Sequence, residues 1–436
     1  MLRRCAVVLL ALPLVAAGIA TQVRTSEAGL LSSRYIVVLE DGADPAAVAR
    51  DVSGLGATVQ GLLGAVDGLV AALPRGAAAA VETRPGVRFV TPDRPMRLAD
   101  STTSHGVSRI GAATDTGVEA VPVPSAGNRA GVAILDTGIA DHPDLNVAGG
   151  VNCSSDLLGN LVGGLIGVGD GYSDPHGHGT HVAGTVAALA DGNGAVGVSP
   201  GAPLYAVKVF GALGTGKLSD VICGLDWVAA NAAEKNIKVV NMSLGGNGLD
   251  DTSCGADAED ALHVAVCNVV AQGVTVVVAA GNAKVNLGET VPASYDEVLT
   301  VGAMADYDGL PGGTAQPTCG DSKDPDDTVA GFSNYADVDH DADHMISAPG
   351  VCIFSTWNDG SYATISGTSM ASPHAAGAVA RCIDAGPCAG LAPGQIIQKL
   401  RADAAARPLE TGFFGDPNAP LDDERYYGHL VDASRY

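Results

Sequence analysis

GVAILDTGI, residues 131–139, opens on an unbroken apolar run and closes on an acidic residue and a glycine-bearing turn. A strand that is apolar at every position is buried on both faces. That marks a parallel sheet covered by helices, not a sheet with one wet side. Working outward, APLYAVKV (202–209), IKVVNMSL (237–244), GVTVVVAAGN (273–282) and EVLTVGA (297–303) repeat the pattern. Helical segments 179–190, 218–234 and 258–272 fall between them. The alternation predicts an α/β fold, a doubly wound and mostly parallel sheet, whose sites form at the carboxyl ends of strands. Asp136 stands at such an end.

Residues 34–92 read differently. The strand YIVVL (35–39), a helix over 45–55, two strands within 57–74, a helix near 76–84 and the strand VRFV (87–90) predict a small α+β unit. A polar stretch, 100–104, follows and is exposed and cleavable by composition.

Apolar residues make up 47% of the 436 and mean hydropathy is +0.22, enough for a large core and against disorder. Net charge is −24, unevenly spread: residues 1–98 carry 10 basic and 8 acidic side chains, the remainder 14 and 40. Such an acidic surface repels nucleic acid and anionic membrane, which weighs against both as partners, and it equally suits a soluble, salt-tolerant exported protein. Arg3 and Arg4 precede an apolar stretch, Cys5 to Ala20, that is short for a membrane span. It reads as a cleaved signal peptide within residues 1–29, with a retained anchor as the alternative, so the protein is expected to be secreted and free of membrane thereafter. Removing Cys5 leaves eight cysteines, an even number that fits disulfides in an exported chain. Proximity favours 382–388 and 254–267, leaving 153–223 and 319–352. Zinc is the rival, but no CxxC pair is present.

Three residue types carry chemistry. Asp136 lies in LDTGI, His178 in HGHGTHVAGT, and Ser369 in SGTSMASPHAAG. A serine hydroxyl is barely ionised near neutral pH, so it needs a histidine as base and a carboxylate to hold that histidine's tautomer. Ser369 is expected to open a helix with Pro373 in its first turn, aiming backbone N–H groups at a developing oxyanion. His176 reads as a solvated loop residue, while His181 and His374 read as internal and structural. An esterase-type hydrolase is disfavoured because Ser369 lies outside a GxSxG turn. A catalytically dead binding protein is disfavoured because each chemical residue is intact.

LDTGI, HGTHVAGT, VVNMSLGG, AAGN and GTSMASP, in that order, resemble the motifs of subtilisin-type serine proteases. The resemblance covers roughly 103–436, and residues 30–98 separately resemble that family's inhibitory propeptide. It implies Asp136 as orienting carboxylate, His178 as base then acid, Ser369 as nucleophile and Asn282 as oxyanion donor. Without the other motifs, Asn282 would read as a strand-end turn residue. Gly214, Thr215 and Gly216, with Ser243, Leu244 and Gly245, match the substrate-binding strands. Leu244, Ala279, Ala280 and Gly281 would line the pocket for the residue before the scissile bond, and their lack of charge predicts an apolar or small residue there.

The implied protein is a secreted, monomeric endopeptidase of broad specificity acting on protein or peptide substrates, with a dedicated processing peptidase as the alternative. Its partners would include its own propeptide (30–98), cleaved from the catalytic domain (99–436) by self-processing near 97–103. No cofactor is required for the chemistry. Asp144 and Asp191 match positions of a structural calcium site, whose remaining oxygens would come from loop carbonyls. The acidic stretch 337–343 is a weaker second candidate, and residues 306–331 are an Asp- and Gly-rich insertion outside the family pattern.

Overall fold

The computed structural model describes residues 32–40, 42–63, 68–74, 76–92, 102–103, 105–112, 129–154, 171–250, 252–254, 260–319, 322–336, 339–420 and 425–436. The expected signal peptide and most of the expected cleavage region lie outside them. The chain divides into two compact units, Met1–Arg97 and Leu98–Tyr436.

In the first unit, β1 (Ser32–Leu39), α1 (Pro45–Gly54), β2 (Thr58–Leu63), β3 (Gly68–Pro74), α2 (Ala78–Glu82) and β4 (Val87–Pro92) follow the expected order. The strands form one antiparallel sheet, β2-β3-β1-β4. Asp44 starts α1 by accepting Ala46 N–H at 2.9 Å, with Pro45 occupying a position whose missing N–H costs nothing. Val48, Val52 and Val81 from the helices close over Val37, Leu69 and Leu73 of the sheet.

The second unit opens with a two-residue strand, Thr102–Thr103, followed by α3 (His105–Arg109). Then come β5 (Gly131–Asp136), β6 (Val147–Asn152), α4 (His178–Ala187), β7 (Leu204–Lys208), α5 (Leu218–Asn231), β8 (Ile237–Met242), α6 (Ala261–Ala271), β9 (Thr275–Ala279) and β10 (Leu299–Ala305). After them are β11 (Thr328–Val329), β12 (Met345–Pro349), the hairpin β13 (Ile353–Thr356) and β14 (Tyr362–Ile365), α7 (Thr368–Ala385) and α8 (Pro393–Ala405). The main sheet runs β11-β10-β9-β8-β5-β7-β6 with β12 also on β10, and only β11 is antiparallel.

Alternation along β5 explains the double winding. Val132 and Ile134 face the layer holding α4, α7 and α8, whereas Ala133 and Leu135 face the layer of α5 and α6. Small side chains on α7 (Ala371, Ala375, Ala376 and Ala378) let that helix lie tight against the sheet. All four expected disulfides are present: 153–223, 254–267, 319–352 and 382–388. The grouping of Cys254, His263, Cys267 and Glu297 has metal-like composition, but its two sulfurs are bonded to each other.

Candidate active site

Asp136, the last residue of β5, is fully buried, and its Oδ1 accepts Thr137 N–H at 2.7 Å. His178 Nδ1 lies 2.8 and 2.9 Å from the two Asp136 oxygens. A carboxylate can only accept, so the bonding assigns the proton to Nδ1 and leaves Nε2 as the basic nitrogen of the neutral ring. Burial pushes the His178 pKa down, but the charge and hydrogen bond of Asp136, with the charge of Asp174, outweigh it. The net position lies above the ordinary histidine value.

His178 is the first residue of α4, and its neighbours must be small. Gly177 has φ +106°, and a Cβ there would come within 2.4 Å of the Trp357 ring. A glycine at this cap offers no side chain, so Asp174 supplies the cap. Its Oδ1 accepts His176 and Gly177 N–H, and its Oδ2 accepts Thr180 N–H and Oγ1–H, at 2.7 to 2.9 Å. His176 is exposed. His181 is buried with Nε2 against the Ile353 and Ala363 carbonyls, and burial brings its pKa down to about 4. Both agree with the expectation from sequence. His374 is buried as expected, with Nδ1 on the Met370 carbonyl.

Ser369 is the second residue of α7. Pro373 lies in the second turn of that helix, not in the first. Proline has no N–H to give the carbonyl four residues back, which is that of Ser369. Ser243 Oγ–H bonds this carbonyl instead, at 2.8 Å, and Ser243 is held in turn by Asn241, whose Oδ1 accepts Ser372 Oγ–H. The backbone of Ser369 is thus tied to the end of β8. Its own Oγ–H points to the Ser243 carbonyl at 3.3 Å, and no hydrogen bond joins it to His178.

Asn282, just beyond β9, turns its Oδ1 to Thr368, accepting the backbone N–H at 2.8 Å and Oγ1–H at 2.9 Å. The amide nitrogen therefore points the other way. Of the first-turn N–H groups of α7, that of Thr368 goes to Asn282, and those of Met370 and Ala371 go to the Gly367 carbonyl. The N–H of Ser369 has no acceptor among the described residues. The Asn282 amide and this N–H form a pair of donors beside Ser369.

A cavity of about 290 Å³ opens next to them, walled by Leu244, Gly245, Ala279, Gly281, Asn334 and Thr290. Ala280 does not line it. Strand alternation sends that side chain into the core under the sheet, a correction to the expected pocket. A second cavity of about 310 Å³ joins His178 to Phe210, Leu213, Gly214, Ser243 and Leu244. Thr215 and Gly216 line neither; they lie on an exposed turn closed by Gly214 N–H to Gly211 and Gly211 N–H to Thr215. Sequence reasoning missed Asn334, which holds the pocket loop through Ala283 N–H, Val285 N–H and the Ala280 carbonyl. It also missed Thr368 and Asp174. Their motifs were visible, but hydroxyl, amide and carboxyl groups that orient others carry no periodic signal.

Asp144, the expected metal ligand, is buried. It accepts Leu189 N–H at 3.0 Å, Ala195 N–H at 3.1 Å and Tyr362 O–H at 3.3 Å. Burial pushes its pKa up to about 6, with the charge of Asp191 adding to the effect. Asp191 is exposed and caps its own turn through Asn193 N–H. Among the described residues no third acidic, histidine or cysteine ligand joins this pair.

An α/β sheet with a buried Asp–His pair and a helix-borne serine at its carboxyl edge defines a hydrolase-like architecture. A model of the subtilase family matches residues 127–428, and the chain belongs to that family. It is similar to an alkaline protease of Alkalihalobacillus alcalophilus, 36% identical over 307 residues, spanning 69% of this chain and 65% of that protein. It is also similar to Subtilisin DY of Bacillus licheniformis, 36% identical over 63% of this chain and 82% of the relative. Subtilisin Savinase of Lederbergia lenta is 39% identical over 61% and 82%, respectively. Among solved structures, a cold adapted subtilisin-like serine proteinase matches with a TM-score of 0.50 at 27% identity, covering 77% of this chain and 99% of its own. The chain thus spans just under two thirds of the alkaline protease it matches.

Proposed function

We propose that this protein is a secreted serine endopeptidase, made as a self-cleaving precursor, with Ser369 as nucleophile. The observation that carries the reading is a carboxylate-bound imidazole that shares a cavity with Ser243, whose carbonyl takes the Ser369 hydroxyl, together with two unspent N–H donors beside Ser369. On substrate binding, Ser369 Oγ exchanges the Ser243 carbonyl for His178 Nε2, a contact that free enzymes often leave unmade. His178 takes the proton as Oγ attacks the scissile carbonyl, and Asp136 stabilises the imidazolium that results. The carbonyl oxygen becomes an oxyanion received by the Asn282 amide and Ser369 N–H. His178 then gives its proton to the leaving amine, and water repeats the sequence to release the acyl group.

An extended substrate would lie along Gly214 and Ser243–Gly245, with an apolar or small side chain in the Leu244–Ala279–Gly281 cavity. Thr215 and Gly216 would contribute backbone only. Residues 30–98 would act as the inhibitory propeptide, removed by cleavage between 97 and 103. A calcium ion held by Asp144, Asp191 and loop carbonyls would offset the crowded negative charge there. Its contribution would be to stability, and none of the chemistry above draws on it.

The test compares wild type with Ser369→Ala expressed without other proteases. Wild type should yield a mature N-terminus within 97–103 and the variant should keep residues 30–98 after export. A variant processed at the same bond would overturn self-cleavage.

A further inference from the structure

A depression distinct from the two cavities that would hold the acyl part of a substrate borders the segment leading to Ser369. It measures about 750 Å³ and is walled by Phe332 and Gly331, by Thr364–Ser366 leading into α7, and by Ser322–Asp324 with Cys319. The last four residues, like Gly331, belong to the Asp- and Gly-rich stretch 306–331 that reads, from sequence, as outside the family pattern. Two covalent and polar ties hold that wall in place. Cys319 is bonded to Cys352, and Cys352 N–H donates to Ser366 Oγ at 2.9 Å, three residues before Ser369.

The acyl-side surface is accounted for by the Leu244 and Phe210 cavities. The 750 Å³ depression shares no residue with either and reaches Ser369 only through the Ser366–Gly367–Thr368 turn. With the acyl side assigned to those two cavities, this depression is the one left for a substrate's leaving amine and the residues beyond it. Two wall residues are charged, Lys323 and Asp324, and the carboxylate is the more enclosed of the two. A Cβ on Gly331 would lie 2.8 Å from Asp324 Oδ1, so that carboxylate rests on the bare Gly331 backbone beside Phe332. Its oxygens accept no hydrogen bond from the described residues, although its backbone carbonyl takes Tyr307 O–H. Lys323, next to it, is exposed.

We infer that Asp324 makes this enzyme select a basic residue at one of the first two positions after the scissile bond. A half-buried carboxylate without a donor partner, in a depression also lined by Phe332, suits a guanidinium or ammonium that places its stem on Phe332. The insertion is thus a specificity element on the leaving side, clamped by its own disulfide. The inference rests on Ser369 forming an acyl-enzyme, and the experiment is chosen to separate the two.

An acyl-enzyme formed from a small peptide ester is offered amine nucleophiles in competition with water. The ester bond to Ser369 Oγ breaks as the amine forms an amide, and the amine's proton passes through His178 to Oγ. Only the leaving side is read, as a ratio of capture by Arg-Gly-amide or Gly-Arg-amide to capture by the citrulline counterparts. Wild type should favour arginine at one of the two positions about five-fold, the scale of a partly exposed charge pair. Asp324→Asn should bring the ratio near one, and Lys323→Glu should raise it. Equal capture of arginine and citrulline by wild type, or an unchanged ratio in Asp324→Asn, overturns the inference while leaving the nucleophile intact. Failure of Ser369 to form any acyl-enzyme overturns both.

Discussion

Replacing Thr368 by valine changes one buried hydroxyl beside the nucleophile and almost no volume. Thr368 is 1% exposed, and its Oγ1 accepts Gly281 N–H at 3.1 Å while donating to Asn282 Oδ1 at 2.9 Å. Valine removes both bonds but leaves the backbone N–H of residue 368 on Asn282 at 2.8 Å. Asn282 thus keeps one of two anchors. One hydrogen bond to a neutral partner is worth about 1 kcal/mol net, which predicts a five- to ten-fold fall in kcat. The stranded Gly281 N–H should lower folding stability by about 1–3 kcal/mol. Asn282→Ala should cost more, about 10²–10³ in kcat, a magnitude measured on subtilisin itself and carried over from that relative.

The assay is kcat and KM on a peptide anilide for wild type, each variant and the double variant. Because Thr368 acts through Asn282, the loss should appear in kcat with KM held, Thr368→Ser should restore it, and Thr368→Val should cost nothing further once Asn282 is alanine. The same five- to ten-fold loss in the Asn282→Ala background would refute the reasoning.

Three further outcomes follow from the geometry. Activity requires neutral His178, so it should be lost as pH falls through a value above the ordinary histidine range. Asp136→Asn should shift that limb to lower pH while cutting turnover by about 10⁴, as read from pH–rate profiles. Serine pairs replacing Cys153–Cys223, 70 residues apart, should cost roughly 4 kcal/mol of stability, against roughly 2 for Cys382–Cys388, 6 apart, measured by denaturant unfolding. Gly281→Ala should damage the acyl-side pocket, since a Cβ there meets Asn334 Nδ2 at 2.5 Å on a backbone with φ +104°, and KM for substrates with large apolar side chains should rise.

How much was legible in the sequence depended on the kind of signal. Strands apolar at every position, such as GVAILD, announced a sheet buried on both faces, and every such run became a strand of it. Asp136 and His178 were legible because glycine-rich motifs flank them, and the Gly177 contact with Trp357 gives the physical reason for one of those glycines. Pro373 was placed a turn too early because nothing local reveals that Ser243 substitutes for its missing N–H. Ala280 was assigned to a wall by adjacency, whereas strand alternation turns neighbouring side chains to opposite faces. Asn334 and Thr368 were invisible for a common reason: each acts by orienting groups distant in sequence, 87 residues away for Thr368 and Gly281. Asp174 acts within six residues, as a cap that carries no periodic signal. The wall built by Ser322–Asp324 was hidden in the same way, inside an insertion that read only as acidic and glycine-rich.

The central claim is that Ser369, activated by His178, is the nucleophile. Labelling the purified protein with a fluorophosphonate and mapping the adduct by peptide mass spectrometry tests it most directly. The adduct should fall on Ser369 alone, be absent in Ser369→Ala, and form far more slowly in His178→Ala, with proteolysis lost in step. An adduct on another residue, or proteolysis that survives in Ser369→Ala, would contradict it.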